Sequence, residues 1–167
     1  MDMNMFTEIS NRYKLITEKL IEKNLTISTM ESCTGGLIAS LLTDTEGASN
    51  TIKGSFVTYS NEAKILQGVS EKVIKEKGVY SSKTAIEMAR ACKKAYNSNI
   101  GVGITGTFNN VDLNNPDSIP GVVYIHICMD KTDYSMGISL TTNKSRPESK
   151  LIIANHVADG LLFLLNK

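Results

Sequence analysis

The segment that decides the fold runs from Leu25 to Leu42 and has the sequence LTISTMESCTGGLIASLL. Its first six residues are rich in β-branched side chains, which favour a strand, and the part from Gly35 to Leu42 has the composition of a helix. The turn from Glu31 to Thr34 joins the two. We therefore expect a β-strand that leads directly into a helix, as in α/β proteins.

Alternating helix and strand patterns continue on both sides of this segment. The spacing of apolar residues predicts helices over 6–23, 69–77, 82–96 and 146–165, and a short helix that ends at Leu66. Apolar and β-branched runs predict strands over 55–59, 100–105, 121–128 and 134–142. The last two strands are close enough in sequence to form an antiparallel hairpin. The sequence therefore predicts an α/β fold, a three-layer α/β/α sandwich with a mixed β-sheet.

Length and composition fit a single domain over residues 1–167 and argue against several classes of function. The chain has 167 residues and a mass of 18.2 kDa, with 41% hydrophobic and 21% charged residues, the balance of a folded protein without long disorder. It has 18 basic and 17 acidic residues, a formal charge of +1. Because there is no excess of positive charge to attract phosphate backbones, we expect no binding to nucleic acid.

The sequence also bears on location, cofactors and assembly. The start has neither a basic cluster nor an apolar run, and the apolar stretch near Leu161 is too short to cross a bilayer, so we expect a cytoplasmic protein with no membrane association. Three widely spaced cysteines and the lack of metal-ligand spacing predict no disulfide, no metal and no cofactor. The last helix is apolar on most faces, which favours a homo-oligomer.

The turn between the first strand and its helix is the first candidate for chemistry. Backbone N–H groups and the positive end of a helix converge there, which suits a developing anion. Ser32 is a candidate nucleophile in this turn, and Gly35 and Gly36 let a substrate approach the backbone closely. Cys33 is a rival nucleophile, because a helix N-terminus lowers the pKa of a thiol. Alternatively, Ser32 or Thr34 only caps the helix, and spacing alone does not decide.

A serine nucleophile needs a base, and the two histidines are poorly placed to supply it. His126 falls in a predicted strand and His156 in the last helix, so both are interpreted as structural. Lys64 and Tyr59 remain, five residues apart across a strand-to-helix junction, so both can face one cavity. A desolvated lysine loses its proton readily and can act as a general base, although an exposed helical lysine is the commoner case.

The residues from Gly101 to Gly106 match the letters of the G-x-G-x-x-G dinucleotide-binding motif. That motif needs a strand before its first glycine and a helix after its last, whereas here the glycines lie within the strand and a polar loop follows. We therefore reject dinucleotide binding. A strand of small residues that ends in Thr105 and Gly106 still permits a ligand to lie across the end of the sheet.

Three motifs occur in order along the chain: ESCTGG at 31–36, TYSNEAK at 58–64 and GITG at 103–106. Together they resemble the CinA C-terminal domain family, whose stand-alone members include nicotinamide-nucleotide amidases. The resemblance covers nearly the whole chain. We expect no counterpart of the amino-terminal domain of longer members, which is similar to molybdopterin-binding proteins.

This resemblance implies an α/β/α fold and a small-molecule nucleotide substrate. The implied reaction hydrolyses the carboxamide of nicotinamide mononucleotide to nicotinic acid mononucleotide and ammonia, in pyridine-nucleotide salvage. In the family pattern Ser32 is the nucleophile, Tyr59 and Lys64 take and return its proton, and Arg146 pairs with the substrate phosphate. The residues implied to bind substrate are Glu31, Cys33, Thr34, Gly35, Gly36, Thr105, Gly106 and Arg146.

Two features depart from the family pattern. After Gly106 the family continues with Ile-Ala-Gly-Pro and a glycine-rich loop that ends in Lys-Pro, whereas this chain has TFNN at 107–110 and SIP at 118–120. Four positions after Arg146 the family commonly has a second arginine, and here Lys150 gives up bidentate pairing. The alternative function is therefore a noncatalytic nucleotide-binding or regulatory domain of the same fold.

Overall fold

The computed structural model describes residues 3–141 and 143–167. The helices in these ranges are α1 (Met3–Glu22), α2 (Leu37–Thr43), α3 (Asn61–Leu66), α4 (Glu71–Lys77), α5 (Ser82–Tyr96) and α6 (Arg146–Leu165), with a 3₁₀ turn at Ala48–Asn50. The strands are β1 (Ile27–Glu31), β2 (Ile52–Val57), β3 (Ile100–Gly106), β4 (Val122–Cys128) and β5 (Asp133–Ser139). None of these helices combines the length and the hydropathy that crossing a bilayer requires.

The strands form one mixed sheet in the order β2-β1-β3-β4-β5. β1 pairs in parallel with β2 on one side and with β3 on the other. β4 pairs antiparallel with β3 and forms the predicted hairpin with β5. The structure thus confirms the α/β fold with a mixed sheet, in which a parallel half with crossovers precedes an antiparallel half.

Helices cover both faces of this sheet. On one face α1, α2 and α6 enclose a hydrophobic core that includes the fully buried Ile16, Ile104 and Leu161. On the other face α5 contributes Met88 and Cys92 to a smaller buried cluster. β1 and β3 are buried along their whole length, as expected for parallel strands covered on both faces. The chain therefore has the three layers that the sequence predicts.

Two glycines in β3 let α5 lie directly against the sheet. A Cβ atom at Gly101 would lie 2.1 Å from the carbonyl oxygen of Ala89, and one at Gly103 would lie 2.2 Å from that of Ala85. Such distances are far below van der Waals contact, so no larger residue fits without moving the helix. The first two glycines of the apparent G-x-G-x-x-G motif therefore belong to helix packing, the third, Gly106, lies against Val122 and Val123 of β4, and a loop rather than a helix follows.

Several boundaries in the amino-terminal half differ from the sequence prediction, and those of α2 and β2 bear on the site. α2 begins at Leu37 rather than at Gly35, because Gly35 and Gly36 have positive φ angles of 61° and 94° that end the preceding turn outside the helix. β2 covers Ile52–Val57, earlier than the predicted strand. Tyr59 consequently lies beyond the strand, in the connection to α3. Its side chain is therefore not bound to the alternation of strand residues between the two faces of the sheet.

The carboxyl-terminal part follows the prediction closely. β5 ends at Ser139, and Thr142, the predicted end of this strand, lies outside the described residues. Ser145 forms a reciprocal capping box with Glu148 at the start of α6. Most apolar side chains of α6 are buried in the core, whereas Phe163 is 51% exposed. Packing within the chain therefore explains the apolar character of α6, and a homo-oligomer stays a prediction.

Candidate active site

A cavity of about 620 Å³ lies where β1, β2 and β3 end. The carboxyl ends of parallel strands are the usual place for a ligand in sheets of this kind. The turn after β1, the connection after β2, the loop after β3 and the start of α6 all contribute to it. Its lining residues are Ser32, Cys33, Tyr59, Ser60, Asn61, Glu62, Tyr80, Gly106, Thr107, Phe108, Asn110, Val111, Asp112, Asn114, Asn115 and Arg146.

Glu31 is the last residue of β1, and its buried carboxylate fixes the turn that follows. The carboxylate accepts hydrogen bonds from the backbone N–H groups of Gly36 (3.0 Å), Ile38 (3.2 Å) and Ala39 (2.9 Å). It thereby satisfies the first amides of α2 and opposes the positive end of the helix. Glu31, which the family pattern implies for substrate binding, is fully buried and does not line the cavity.

Ser32 follows Glu31 and is held at the inner end of the cavity. Its backbone N–H donates to the carbonyl of Ile104 in β3 at 3.1 Å, and the residue is only 4% exposed. The side chain of Ser32 does not cap α2: the N-cap residue is Gly36, and the carboxylate that accepts from the first amides of the helix belongs to Glu31. Instead, Ser32 Oγ lies 3.2 Å from Lys64 Nζ. The structure therefore brings together the hydroxyl and the amine that the sequence could only place in separate motifs.

Lys64 reaches Ser32 from α3, a short helix capped by Ser60. The lysine is 1% exposed, and its Nζ also donates to the carbonyl of Thr58 at 2.8 Å. Burial lowers the pKa of Lys64 to about 8, although negative charge on Cys33 or Asp112 would raise it. Part of the population therefore carries a neutral amine at mildly alkaline pH, and that amine can accept a proton.

Cys33 also lines the cavity, but its thiol is not activated. Burial, together with the nearby Glu31 carboxylate, raises the pKa of Cys33 to about 12. The sequence suggested that the N-terminus of α2 would lower the pKa of this thiol, but the carboxylate of Glu31 already accepts hydrogen bonds from the amides at that end of the helix. Because the thiolate is the nucleophilic form, the electrostatics favour Ser32 over Cys33.

One backbone amide of the turn, that of Cys33, remains at the cavity for a developing oxyanion. Within the described ranges, the N–H groups of Cys33 and Thr34 donate to no other residue, but Thr34 is fully buried and does not line the cavity. The N–H of Gly35 donates to the carbonyl of Ser32 at 3.0 Å, and that of Gly36 is taken up by the Glu31 carboxylate. The turn thus has fewer free hydrogen-bond donors for an oxyanion than the sequence indicated, but the N–H of Cys33 directly follows Ser32 in the chain.

Arg146 and Tyr59 meet at the mouth of the cavity. Arg146 Nη2 donates to the Tyr59 hydroxyl at 2.8 Å, and its guanidinium carbon lies 5.3 Å from the centre of the Phe108 ring. Tyr59 is 61% exposed. The mouth therefore presents a positive charge between two aromatic rings, which suits a planar, negatively charged ligand. The tyrosine hydroxyl contacts Arg146, so of the two candidate bases Lys64 is the one bonded to Ser32.

Of the other residues implied for substrate binding, some line the cavity and some do not. Gly106 lines the cavity, whereas the hydroxyl of Thr105 is buried and donates to the carbonyl of Val79 at 3.0 Å. Gly35 is exposed at the turn, where a Cβ would lie 3.1 Å from Lys150 Nζ. A second positive charge therefore lies beside the turn, outside the set of lining residues.

Residues 107–120, which we call the loop wall, supply lining side chains that the sequence analysis did not single out. Asp112 accepts hydrogen bonds from the Tyr80 hydroxyl (2.6 Å), Asn115 Nδ2 (2.7 Å) and the N–H of Asn114 (3.0 Å). Asn61 Nδ2 donates in turn to Asn115 Oδ1 at 2.8 Å. The one signal in the sequence was a long polar loop that directly follows a buried strand.

The two histidines lie away from the cavity, in agreement with their structural interpretation. His126 is buried in β4, with Nδ1 2.6 Å from Ser135 Oγ, and His156 lies in α6, 3.5 Å from Asp159. Among residues 3–141 and 143–167, no three His, Cys, Asp or Glu side chains are arranged to hold a metal ion.

Comparison with curated proteins gives relatives along most of the chain. CinA-like proteins from Fervidobacterium nodosum and Flavobacterium psychrophilum are each 38% identical to it, over 141 and 150 residues. These matches cover 84% and 88% of this chain, but only 33% and 34% of the two relatives. The chain thus spans about a third of the length of the curated relatives that it matches.

Solved structures agree with the described architecture. The competence/damage inducible protein CihA from Agrobacterium tumefaciens superposes with a TM-score of 0.85 at 27% identity, covering 95% of this chain and 96% of that one. A CinA superfamily protein from Enterobacter cloacae also gives a TM-score of 0.85, at 20% identity, which supports the fold alone. The model of the CinA C-terminal domain matches residues 10–166. This chain therefore belongs to the CinA C-terminal domain family.

Proposed function

We propose that this protein is an amidohydrolase that converts nicotinamide mononucleotide to nicotinic acid mononucleotide and ammonia. The observation that carries the proposal is the buried contact of 3.2 Å between Lys64 Nζ and Ser32 Oγ. A hydroxyl beside an amine of lowered pKa is an activated nucleophile. The choice of this nucleotide comes from the resemblance of the motifs at 31–36, 58–64 and 103–106 to the family.

In the first half of the reaction, Ser32 Oγ attacks the carbonyl carbon of the carboxamide while Lys64 Nζ accepts the hydroxyl proton. The negative charge that forms on the carbonyl oxygen is stabilised by the N–H of Cys33. Lys64 then gives the proton to the amide nitrogen, the carbon–nitrogen bond breaks, and ammonia leaves. An ester between the substrate acyl group and Ser32 remains.

In the second half, water attacks the ester and transfers a proton to Lys64, which returns it to Ser32 Oγ. The carbonyl of Thr58 fixes the amine throughout, because one N–H of Lys64 is directed to it at 2.8 Å. Tyr59 is the second proton-handling group, at the mouth of the cavity, where Arg146 orients its hydroxyl. The product is released as a carboxylate.

The cavity also fits a mononucleotide in size and charge. Its volume of about 620 Å³ lies within the range of small-molecule sites. Arg146 can pair with the phosphate, and the exposed ring of Tyr59 supplies a face against which an aromatic ring can stack. Lys150, beside Gly35, adds positive charge at the same end of α6.

The test is direct conversion of the nucleotide by the purified protein. Mass spectrometry should show the amide replaced by the acid, with ammonia released in equal amount, and Ser32→Ala should show neither product. Saturable binding of the nucleotide without any acid after prolonged incubation would contradict the proposal and identify the noncatalytic alternative.

A further inference from the structure

The loop wall holds a carboxylate that the proposed reaction does not use. Asp112 lines the same cavity as Ser32. Its position is fixed at both ends, because its backbone N–H donates to the buried Ser118 Oγ at 2.8 Å and its side chain is bonded to Tyr80 and Asn115. Asp112 is therefore an ordered side chain in the cavity.

The hydrogen bonds also set its charge. Those from Asn115 and Tyr80 hold the pKa of Asp112 below its usual range, so the carboxylate is ionised at neutral pH. Its negative charge acts on Lys64 and raises the pKa of that amine. An anion in this place works against the neutral lysine that the reaction needs, unless the bound substrate brings a positive charge that offsets it.

We infer that Asp112 is a specificity-determining residue whose carboxylate selects amides attached to a positively charged ring. This inference rests on the proposed function, since it concerns the same cavity. Nicotinamide mononucleotide has such a ring, an uncharged amide and a phosphate. Arg146 meets the phosphate and Asp112 meets the ring cation, so these two opposite charges of the lining match the two ends of the ligand. Glu62, the other carboxylate of the lining, is exposed, so solvent screens its charge more than that of the half-buried Asp112.

The experiment compares nicotinamide mononucleotide with its dihydro form, in which the ring is reduced and uncharged while amide, ribose and phosphate are kept. Binding of both is measured by calorimetry in Ser32→Ala, which removes turnover, with and without Asp112→Asn. We expect Ser32→Ala to bind the cationic form at least about tenfold more tightly than the dihydro form. Asp112→Asn should remove most of this preference and leave binding of the dihydro form unchanged.

Asp117→Asn is the matched control, because it makes the same change of charge in the same loop at a residue that does not line the cavity. It should leave the preference intact. Equal binding of the two nucleotides before Asp112 is changed, or an undiminished preference after it is changed, overturns the inference. Unchanged binding of the dihydro form also shows that the variant site is intact.

A pH profile separates a charge effect from a merely structural one. Because Asp112 raises the pKa of Lys64, its replacement in the otherwise native enzyme should move the acidic limb of kcat/KM to lower pH, while Asp117→Asn should not. Absence of turnover in the native protein contradicts the proposed function alone, since the binding preference is measured without catalysis. An unmoved limb in an active Asp112→Asn enzyme overturns the assignment of its charge to the reaction site.

Discussion

The two walls of the cavity are built in different ways. The wall formed by residues 31–36 with Lys64, which we call the reaction wall, is largely buried, and backbone groups fix it: three amides bind Glu31, and the carbonyl of Thr58 holds Lys64. The loop wall is less buried, and side-chain hydrogen bonds supplement its few backbone bonds, as in the bonds from Tyr80 to Asp112 and between Asn61 and Asn115.

This difference separates reactivity from recognition. A lysine becomes a base only when water is excluded from it, so the reacting groups belong where strands and helices pack. A loop fixed by polar side chains can change its sequence without disturbing the core. The longer departure from the family pattern falls in the loop wall and the other is Lys150 in α6, whereas the ESCTGG motif and Lys64 of the reaction wall are kept. Changes in the reaction wall should therefore alter kcat, and changes in the loop wall should alter KM.

The largest effect is expected at Ser32. Replacement by alanine removes the nucleophile and should lower kcat by at least about 10³-fold. Cys33→Ser should stay within a few-fold of the native enzyme, because the buried thiol, with a pKa of about 12, is almost fully protonated. Initial rates of ammonia release measure both variants. The opposite order of activities would make Cys33 the nucleophile.

Lys64→Met comes next. The side chain keeps a similar length without the amine, and loss of the general base should lower kcat by roughly 10² to 10⁴-fold. Since serine and lysine act as one unit, the double variant Ser32→Ala/Lys64→Met should be no slower than Ser32→Ala alone. Steady-state kinetics on the three variants measure this coupling. Additive losses would show that the two side chains act independently.

The pH dependence of the native enzyme should give about a tenfold effect per pH unit. Burial lowers the pKa of Lys64 to about 8, and the amine acts only when deprotonated. The value of kcat/KM should therefore fall as pH decreases below about 8 and level off above it. Lys64→Met should lack this limb. A limb centred in the ordinary range of histidine would point to a different base.

The smallest effect is expected where Asn61 of α3 is bonded to the loop wall. Asn61→Ala removes the hydrogen bond to Asn115, which steadies Asp112, and should raise KM a few-fold with little change in kcat. Asn109→Ala is a matched control, because its Nδ2 donates to the carbonyl of Lys144 and it does not line the cavity. A fall in kcat rather than a rise in KM for Asn61→Ala would mean that the two walls are not independent.

The sequence predicted most elements because their signals are local. Ser81 and the apolar face after it predicted α5 over 82–96, as observed, and the hairpin of β4 and β5 followed from a short connection. The start of β2 and the start of α2 were misplaced. In α2 the reason is visible: Gly35 and Gly36 have positive φ angles and lie outside the helix, a conformation that composition and spacing do not reveal.

Site residues were predictable only as far as the family pattern or a local motif identified them. Thr105 fits the pattern, yet its hydroxyl is turned to Val79, because successive side chains of a buried strand point to opposite faces. Asp112 and Tyr80 are separated by 32 positions and have no common motif. Their pairing depends on how the loop after β3 packs against the segment before α5, and local patterns contain no information on that.

The amino-acid sequence by itself determined the order of helices and strands, the mixed sheet and the family, because periodicity, turn residues and motifs are properties of neighbouring positions. Only the tertiary structure decided which of the candidate groups are in contact. Ser32 and Lys64 belong to different elements, and their contact exists because α3 packs beside the end of β1. The same packing excludes water from the lysine, and desolvation by distant parts of the chain is what lowers its pKa.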